Sequence, residues 1–174
     1  MKELFVLDKK NYNLNGSVGT RPSVRGIIVR DGKIAMMHSK KYDYYKLPGG
    51  GMEKGEEYKD TLVREVREES GLIVKVDTIK EFGYVRRIEK GRIEDIFIQD
   101  NFYFICEVED ELGSQNLDDY EADEEFTLEF ATIEHVIEVN KTANHLEKEE
   151  VQTFQGMLDR ENRVLELVKE ELGV

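Results

Sequence analysis

A glutamate-rich stretch in the first half of the chain is the feature that most constrains its fold. Residues 57–70 contain no glycine or proline and are rich in strong helix formers, and Gly71 follows as a stop signal. The stretch therefore predicts a helix. Within it, Glu65, Glu68 and Glu69 stand three and four residues apart, so their side chains share one face.

Three like charges on one helix face need compensation. At this spacing each pair of glutamates costs an isolated helix about 0.2–0.5 kcal/mol. A divalent cation such as Mg²⁺ would compensate them, because it prefers carboxylate oxygens and is usually shared with substrate phosphates. The alternative is a solvated face on which Arg64 and Arg67 pair with neighbouring acids. The helix by itself leaves both interpretations open.

The complete pattern around this helix resembles the box of the Nudix (MutT-like) hydrolase family. That box reads glycine, five residues, glutamate, seven residues, then Arg-Glu-aliphatic-any-Glu-Glu-any-Gly-aliphatic. The chain matches it without an insertion over 23 consecutive positions, which makes the match specific. The approach from residue 47 and the hairpin before it also look like the family, so the resemblance covers roughly residues 24–140. The matching box residues are Gly50, Glu56, Arg64, Glu65, Val66, Glu68, Glu69, Gly71 and Leu72.

The resemblance implies a fold and an activity. The expected fold is an α/β/α sandwich with a mixed β-sheet between helices, formed by residues 1–174 as one domain with its box at residues 50–72. The implied reaction is hydrolysis of a phosphoanhydride bond in a nucleoside diphosphate linked to another group, by attack of water on phosphorus with Mg²⁺ or Mn²⁺. The alternative is a non-catalytic Nudix-fold module that senses a nucleotide or binds a protein.

The resemblance also implies roles for individual residues. Glu65 is expected to bind metal and to act as a base as well, and Glu56 to support the metal site. Arg64 is expected to orient the catalytic carboxylates through charge-assisted hydrogen bonds. Gly50 leaves room for a backbone turn and for a carbonyl to reach the metal. The metal-binding glutamates that the resemblance implies are Glu65, Glu68 and Glu69.

Many relatives have one more catalytic carboxylate, outside the box, in a loop that precedes a late strand. Here residues 113–125 are polar and acidic, and this stretch is predicted to be a loop. If Phe130 stands where relatives often have a tryptophan, Glu124 is the best candidate. The register leaves Glu125 and Glu121 as alternatives, together with a purely solvated loop.

Aromatic and basic residues outside the box are candidates for substrate contact. Tyr45 could stack on a base, and Arg25 and Arg86 could bind phosphate in a bidentate manner. The alternative is that the tyrosine closes the core and that the arginines are surface charges. The same two interpretations apply to Tyr42, Tyr44 and Arg87. The histidines lack a metal-ligand spacing and are assigned no site role: His38, His135 and His145.

Hydrophobic patterning predicts the remaining elements. The Asp31-Gly32 pair predicts the turn of a hairpin between two strands, and Lys90-Gly91 predicts a second turn. A short helix is expected at residues 133–139 and a helical tail at about 144–172, which Gly156 could interrupt. The predicted strands cover residues 24–29, 33–38, 72–76, 79–88, 93–108 and 126–130, and residues 39–46 are predicted to be a loop.

Composition excludes some functions. A formal charge of −13 argues against binding of duplex nucleic acid, because attraction to its backbone depends on clustered Lys and Arg. No stretch resembles a membrane span, and Cys106 is a lone cysteine in apolar surroundings, so we expect a cytoplasmic protein with a buried, unreactive thiol. The tail helix could also form part of a homodimer interface.

The sequence leaves the substrate open. Some relatives that act on ADP-ribose have a proline after the box, and some that act on NADH have a Pro- and Trp-rich stretch. After Leu72 this chain has no proline, and it has no tryptophan. The expected partner is a nucleotide-type small molecule, with nucleoside triphosphates, damaged nucleotides, nucleotide sugars and dinucleotides all remaining.

Overall fold

The structure, a computed structural model, describes residues 1–142 and 151–174. The predicted box helix is confirmed, and it begins one residue later than expected. A 3-10 turn at Val76–Thr78 joins two strands. The helices are α1 (Tyr58–Ser70), α2 (Asp119–Asp123), α3 (Ile133–Thr142) and α4 (Val151–Leu172). The strands are β1 (Glu3–Asp8), β2 (Val18–Thr20), β3 (Ser23–Ile27), β4 (Val29–Arg30), β5 (Lys33–Ser39), β6 (Tyr44–Lys46), β7 (Leu72–Val74), β8 (Lys80–Glu89), β9 (Ile96–Ile105), β10 (Val108–Leu112) and β11 (Phe126–Ala131).

The strands form one mixed sheet, one antiparallel sheet and a separate pair. In the mixed sheet β8 pairs antiparallel with β9, β1 runs parallel to β8, and β2 and β3 run parallel to β9. In the antiparallel sheet β5 pairs with β4, β6 and β11. The pair joins β7 and β10. Strand β3 leads into β4 and so connects the two larger sheets.

Helices cover both sides of this strand layer. Side chains alternate along β3, so Val24 packs against Leu62 and Val66 of α1, whereas Ile27 joins the core beneath α4 with Leu165. Full burial of such a side chain stabilises the fold by about 1.5–3 kcal/mol. The expected α/β/α sandwich is therefore confirmed.

Several local predictions are wrong. The predicted loop at residues 39–46 contains β6, which forms because Tyr45 pairs with His38 of β5. The predicted loop at residues 113–125 contains α2, which begins with a capping box between Asp118 and Glu121. The predicted strand at residues 93–108 is divided into β9 and the start of β10.

The two late helices are confirmed over the residues that the structure describes. Helix α3 covers the predicted residues and extends to Thr142, and α4 runs without a break through Gly156. The predicted start of the tail at residues 144–150 lies outside the described residues. Cys106 is buried as predicted, and burial raises the pKa of its thiol to about 12. In the described ranges, no helix is both long and apolar enough to cross a membrane.

Candidate active site

The loop before α1 lies tightly against the first strand of the core. Val24 of β3 donates a backbone hydrogen bond to the carbonyl of Gly50 over 2.9 Å. A Cβ at Gly50 would lie 2.1 Å from a carboxylate oxygen of Glu65, so a larger residue at this position would displace that carboxylate. At the other end of α1, Gly71 adopts a left-handed conformation with φ of 75° and ends the helix. The loop and the helix are therefore held in one fixed arrangement.

Arg64 gathers three carboxylates of the box. Its guanidinium donates to both oxygens of Glu56, over 2.7 and 2.8 Å, and to Glu65 over 2.7 Å and Glu68 over 3.1 Å. The hydrogen bonds from Arg64 lower the pKa of Glu56 to about 2. We call these four residues the outer group, because their side chains are 15–41% exposed. This geometry is the one that the resemblance implies for an orienting arginine.

The remaining box glutamate, Glu69, points inward. It accepts hydrogen bonds from the backbone of Gly49 over 2.8 Å and from the ammonium of Lys46 over 2.9 Å. Lys46 donates also to Glu121, over 2.8 Å, and Tyr120 donates to Glu121 over 2.8 Å. Burial raises the pKa of Glu69 to about 8, against the opposing effect of Lys46. We call Lys46, Glu69 and Glu121 the inner group, since their side chains are 4–7% exposed.

Both groups face one cavity of about 280 Å³. It is polar, and carboxylates from the box and from α2 meet at its wall. The acidic residues that line the cavity are Glu53, Glu65, Glu68, Glu69, Asp118 and Glu121. The other lining residues are Arg21, Gly51, Met52, Arg64 and Asn116.

The carboxylates fit a hard divalent cation in type and number, because Mg²⁺ and Mn²⁺ are bound through carboxylate oxygens. In the part of the chain that the structure describes, however, no three His, Cys, Asp or Glu side chains converge as a metal site. The reason is that Arg64 and Lys46 hold the carboxylates in two separate groups.

The sequence did not indicate Lys46 as a site residue, because nothing in its immediate sequence points to a buried ion pair.

Of the acidic candidates outside the box, Glu121 lines the cavity and Glu124 does not. Glu124 follows the end of α2 and accepts a hydrogen bond from the Tyr44 hydroxyl over 2.6 Å, with Ser39 nearby. Glu125 is exposed and adopts a left-handed φ of 54°. The structure therefore favours the alternative Glu121, because α2 turns it toward Lys46 and the cavity.

Of the three residues predicted to contact substrate, one lies near the box carboxylates and two have partners elsewhere. Burial raises the pKa of Glu65 and of Glu69, and the charge of nearby Arg25 on β3 partly opposes that rise. Tyr45 instead donates its hydroxyl to Glu129 over 2.8 Å and is buried. Arg86 binds Asp100 through two hydrogen bonds of 2.8 Å. Tyr45 and Arg86 are therefore engaged outside the cavity, and Arg25 stays a candidate.

The other aromatic candidates support the core. Tyr44 packs edge-on against Phe126 and Phe154, with ring centroids 5.7 and 4.6 Å apart. His38 stacks on Tyr45 at 4.1 Å, so it belongs to the wall of the antiparallel sheet. Among the remaining residues considered for the site, His145 lies outside the described residues.

Comparisons with known proteins point to one family. Residues 19–154 match the description of the NUDIX domain. An ADP-ribose pyrophosphatase from Methanocaldococcus jannaschii is 42% identical over 75 residues, which are 41% of this chain and 43% of the relative. The chain thus spans less than half the length of the curated relative that it matches.

Two solved structures share the fold. A MutT protein from Bacillus halodurans has a TM-score of 0.54 at 23% identity, covering 68% of this chain and 72% of its own. A NUDIX hydrolase from Nitrosomonas europaea has a TM-score of 0.55 at 16% identity, covering 82% and 90%. At these identities the likeness concerns the fold alone. Since the NUDIX match extends over residues 19–154, well beyond half of the sequence, the chain belongs to the Nudix family.

Proposed function

We propose that this chain is a divalent-metal-dependent Nudix pyrophosphohydrolase. It cleaves a phosphoanhydride bond in a nucleoside diphosphate linked to another group, by attack of water on phosphorus. The observation that carries the proposal is the meeting of Glu65, Glu68, Glu69 and Glu121 at one cavity of about 280 Å³ beside Arg64. An intact box and a shared cavity together favour an active enzyme over a binding module.

Mg²⁺ or Mn²⁺ is the proposed cofactor. Glu65, Glu68 and Glu69 would hold it, with Glu121 assisting from α2. The Gly50 carbonyl accepts one hydrogen bond from Val24 and keeps a second lone pair for the cation. When bound, the cation lowers the pKa of a water and neutralises charge on the phosphate oxygens.

The chain's own side chains orient the reacting groups. Arg64 fixes the direction of Glu65 through a hydrogen bond of 2.7 Å, and Glu56 fixes Arg64 through two more. Glu65 accepts the proton of the attacking water. Lys46 holds Glu69 against the loop before α1, so the carboxylate stays in place between reactions.

The substrate is a nucleotide-type small molecule rather than duplex nucleic acid. The curated relative is named for ADP-ribose, so ADP-ribose is one member of the proposed substrate set. The other members are nucleoside triphosphates, damaged nucleotides, nucleotide sugars and dinucleotides, because the chain has neither a proline after the box nor a Pro- and Trp-rich stretch. We further propose that the enzyme works in the cytoplasm and that helix α4 can contribute to a homodimer.

The test is hydrolysis of these substrate classes in the presence of Mg²⁺, Mn²⁺ or EDTA, with release of phosphate or pyrophosphate as the readout. Glu68→Gln should remove most turnover and leave the fold intact, because it neutralises a partly exposed carboxylate at the cavity. Glu57→Gln is the matched control, since Glu57 is exposed at the start of α1. Equal activity of Glu68→Gln and wild type would refute the metal site, and no cleavage of any substrate would favour the binding module.

A further inference from the structure

A second cavity adjoins the carboxylate cavity on the exposed side of α1. Its volume is about 560 Å³, against about 280 Å³ for the carboxylate cavity. Three residues line both cavities: Arg64, Glu68 and Asn116. We call the second cavity the outer groove. Since the two cavities share part of their walls, a substrate whose phosphates lie at the carboxylates can extend into the outer groove without crossing the core.

Helix α1 forms one wall of the outer groove. Lys59, Val63 and Arg67 line it and follow one another at four-residue spacing, so their side chains form one row along the helix. Arg64 and Glu68 stand in the neighbouring row, at the border with the carboxylate cavity. The box helix therefore presents its catalytic carboxylates to one cavity and a row of residues that the box leaves unspecified to the other.

The other wall is tied to the same helix. The side chain of Gln115 donates to the backbone carbonyl of Glu69 over 2.8 Å, and the backbone of Asn116 donates to the carbonyl of Glu68 over 2.8 Å. These two bonds attach the segment before α2 to residues that carry box carboxylates. The outer groove is therefore shaped by the fold and stays in register with the carboxylate cavity.

The lining of the outer groove combines apolar and hydrogen-bonding groups. Val63 of α1 is half-buried and Val76 of the 3-10 turn is 54% exposed, so two elements give aliphatic surface to the groove. Ser114 and Asn116 add a hydroxyl and an amide, each of which can donate and accept hydrogen bonds. Apolar walls with a few polar groups, in a volume of about 300–1,000 Å³, are typical of small-molecule sites.

Arg67 brings donors to the outer groove that the protein itself does not use. Over residues 1–142 and 151–174, its guanidinium has no hydrogen bond or ion pair, whereas Arg64 contacts three carboxylates. The sequence left open whether Arg67 pairs with neighbouring acids, and in the structure it does not. Although the chain has 38 acidic and 25 basic residues, the N–H donors of Arg67 thus stay available to a ligand.

We propose that the outer groove binds the group that is linked to the nucleoside diphosphate, that this group is a sugar, and that Arg67 determines specificity for it. The inference rests on the proposed function. A sugar ring packs its C–H faces on aliphatic side chains and exchanges hydrogen bonds through its hydroxyls, which matches what Val63, Asn116 and Arg67 offer together. In a nucleoside triphosphate the linked group is a phosphate, which would leave the aliphatic surface uncovered.

The first experiment fills the outer groove. KM and kcat are measured with Mg²⁺ for two matched pairs, ADP-ribose with ATP and UDP-glucose with UTP, in which only the linked group differs. Val76→Trp should raise KM for the sugar substrates by about tenfold or more, because the indole occupies the place of the sugar. KM for the triphosphates should not change. Val18→Trp is the matched control, because Val18 is 56% exposed on β2 and lines neither cavity.

The second experiment removes the guanidinium. Arg67→Met should raise KM for the sugar substrates by about tenfold and leave kcat unchanged, because Arg67 binds substrate away from the reacting atoms. Arg67→Lys keeps a charged donor and should recover part of the loss. The control is Arg92→Met, in the turn between β8 and β9. Equal KM values for Arg67→Met and Arg92→Met would overturn the role of Arg67.

The outer groove and the enzymatic function fail in different ways. If the wild type is active but cleaves only triphosphates, or if Val76→Trp and Val18→Trp have equal KM for the sugar substrates, the function stands and the groove is wrong. If the wild type cleaves nothing, ADP-ribose with Mg²⁺ is titrated calorimetrically. Weaker binding to Val76→Trp than to Val18→Trp would then keep the groove and overturn the function, and equal binding would overturn both. Circular dichroism shows whether each variant is folded.

Discussion

The outer and inner groups hold carboxylates of the same cavity in different surroundings. In the outer group Arg64 contacts its partners near the surface, with side chains 15–41% exposed. In the inner group Lys46 lies between Glu69 and Glu121, with side chains 4–7% exposed. Solvent screens the first set of charges, whereas the second is surrounded by protein.

This difference assigns the two groups different tasks. An exposed carboxylate can exchange an arginine for a cation at small cost, because water solvates each arrangement. Without the ammonium of Lys46, the buried carboxylate of Glu121 would keep an uncompensated charge, which is strongly destabilising. The outer group is therefore suited to exchange of partners during turnover, and the inner group joins α2 to the box.

Loss of Lys46 should have the largest effect on stability. Lys46→Met preserves much of the side-chain volume but leaves Glu69 and Glu121 facing each other in the interior. We expect the free energy of unfolding to fall by about 3–5 kcal/mol at neutral pH, measured by urea denaturation in EDTA. Lys41→Met is the control, because Lys41 pairs with Asp123 at the surface and its loss should change stability far less.

If Lys46→Met and Lys41→Met were equally stable, the buried ion pair of the inner group would contribute no more to stability than a surface ion pair. It would mean that the inner carboxylates relax into solvent or share a proton without strain. The midpoint of unfolding and the slope of the denaturation curve separate a loss of stability from a change in the unfolded state.

The next test concerns which acidic residue of α2 serves the cavity. Glu121→Gln should lower Mg²⁺-dependent hydrolysis by about 10–100-fold, the usual cost of losing a residue that supports metal ligands. Glu124→Gln should retain activity, since Glu124 contacts Tyr44 away from the cavity. If Glu124→Gln lost activity and Glu121→Gln retained it, Glu124 would be the assisting carboxylate. The ion pair of Lys46 would then have no part in catalysis.

The outer group could be predicted from the sequence because it is local. Glu56, Arg64, Glu65 and Glu68 belong to one continuous motif, and helical periodicity fixes which of them share a face. Helix α1 and most strands follow from similarly local patterns. The fold class and the family therefore needed no tertiary information.

The inner group could not be predicted in this way. Lys46, Glu69 and Glu121 meet only because β6 and β11 both pair with β5 and α2 packs against β11. The same reason explains why the sequence could not place Tyr45 and Arg86 relative to the cavity. Both residues lie on strands, where a shift of the register by one residue moves a side chain to the other face of the sheet.

Glu56 offers the smallest and most specific test of the outer group. Hydrogen bonds from Arg64 lower its pKa from 4.5 to about 2. A carboxyl whose pKa is lower in the folded state stabilises the protein above pH 4.5, and that contribution disappears as the pH falls from 4.5 toward 2. Glu56→Gln should therefore cost about 1 kcal/mol or less at pH 7, because the group is partly exposed. The difference from wild type should shrink over this acidic range.

Thermal unfolding of Glu56→Gln, wild type and the exposed control Glu57→Gln in EDTA between pH 2 and pH 7 measures this effect. Glu57→Gln should follow the wild-type profile throughout. A constant difference in stability between Glu56→Gln and wild type across the whole pH range would contradict this. It would show that the substitution destabilises the protein by altering packing and not by removing a charge. A stability difference that disappears toward pH 2 would mean that the ionised carboxylate of Glu56 accepts the hydrogen bonds of Arg64, as an orienting arginine requires.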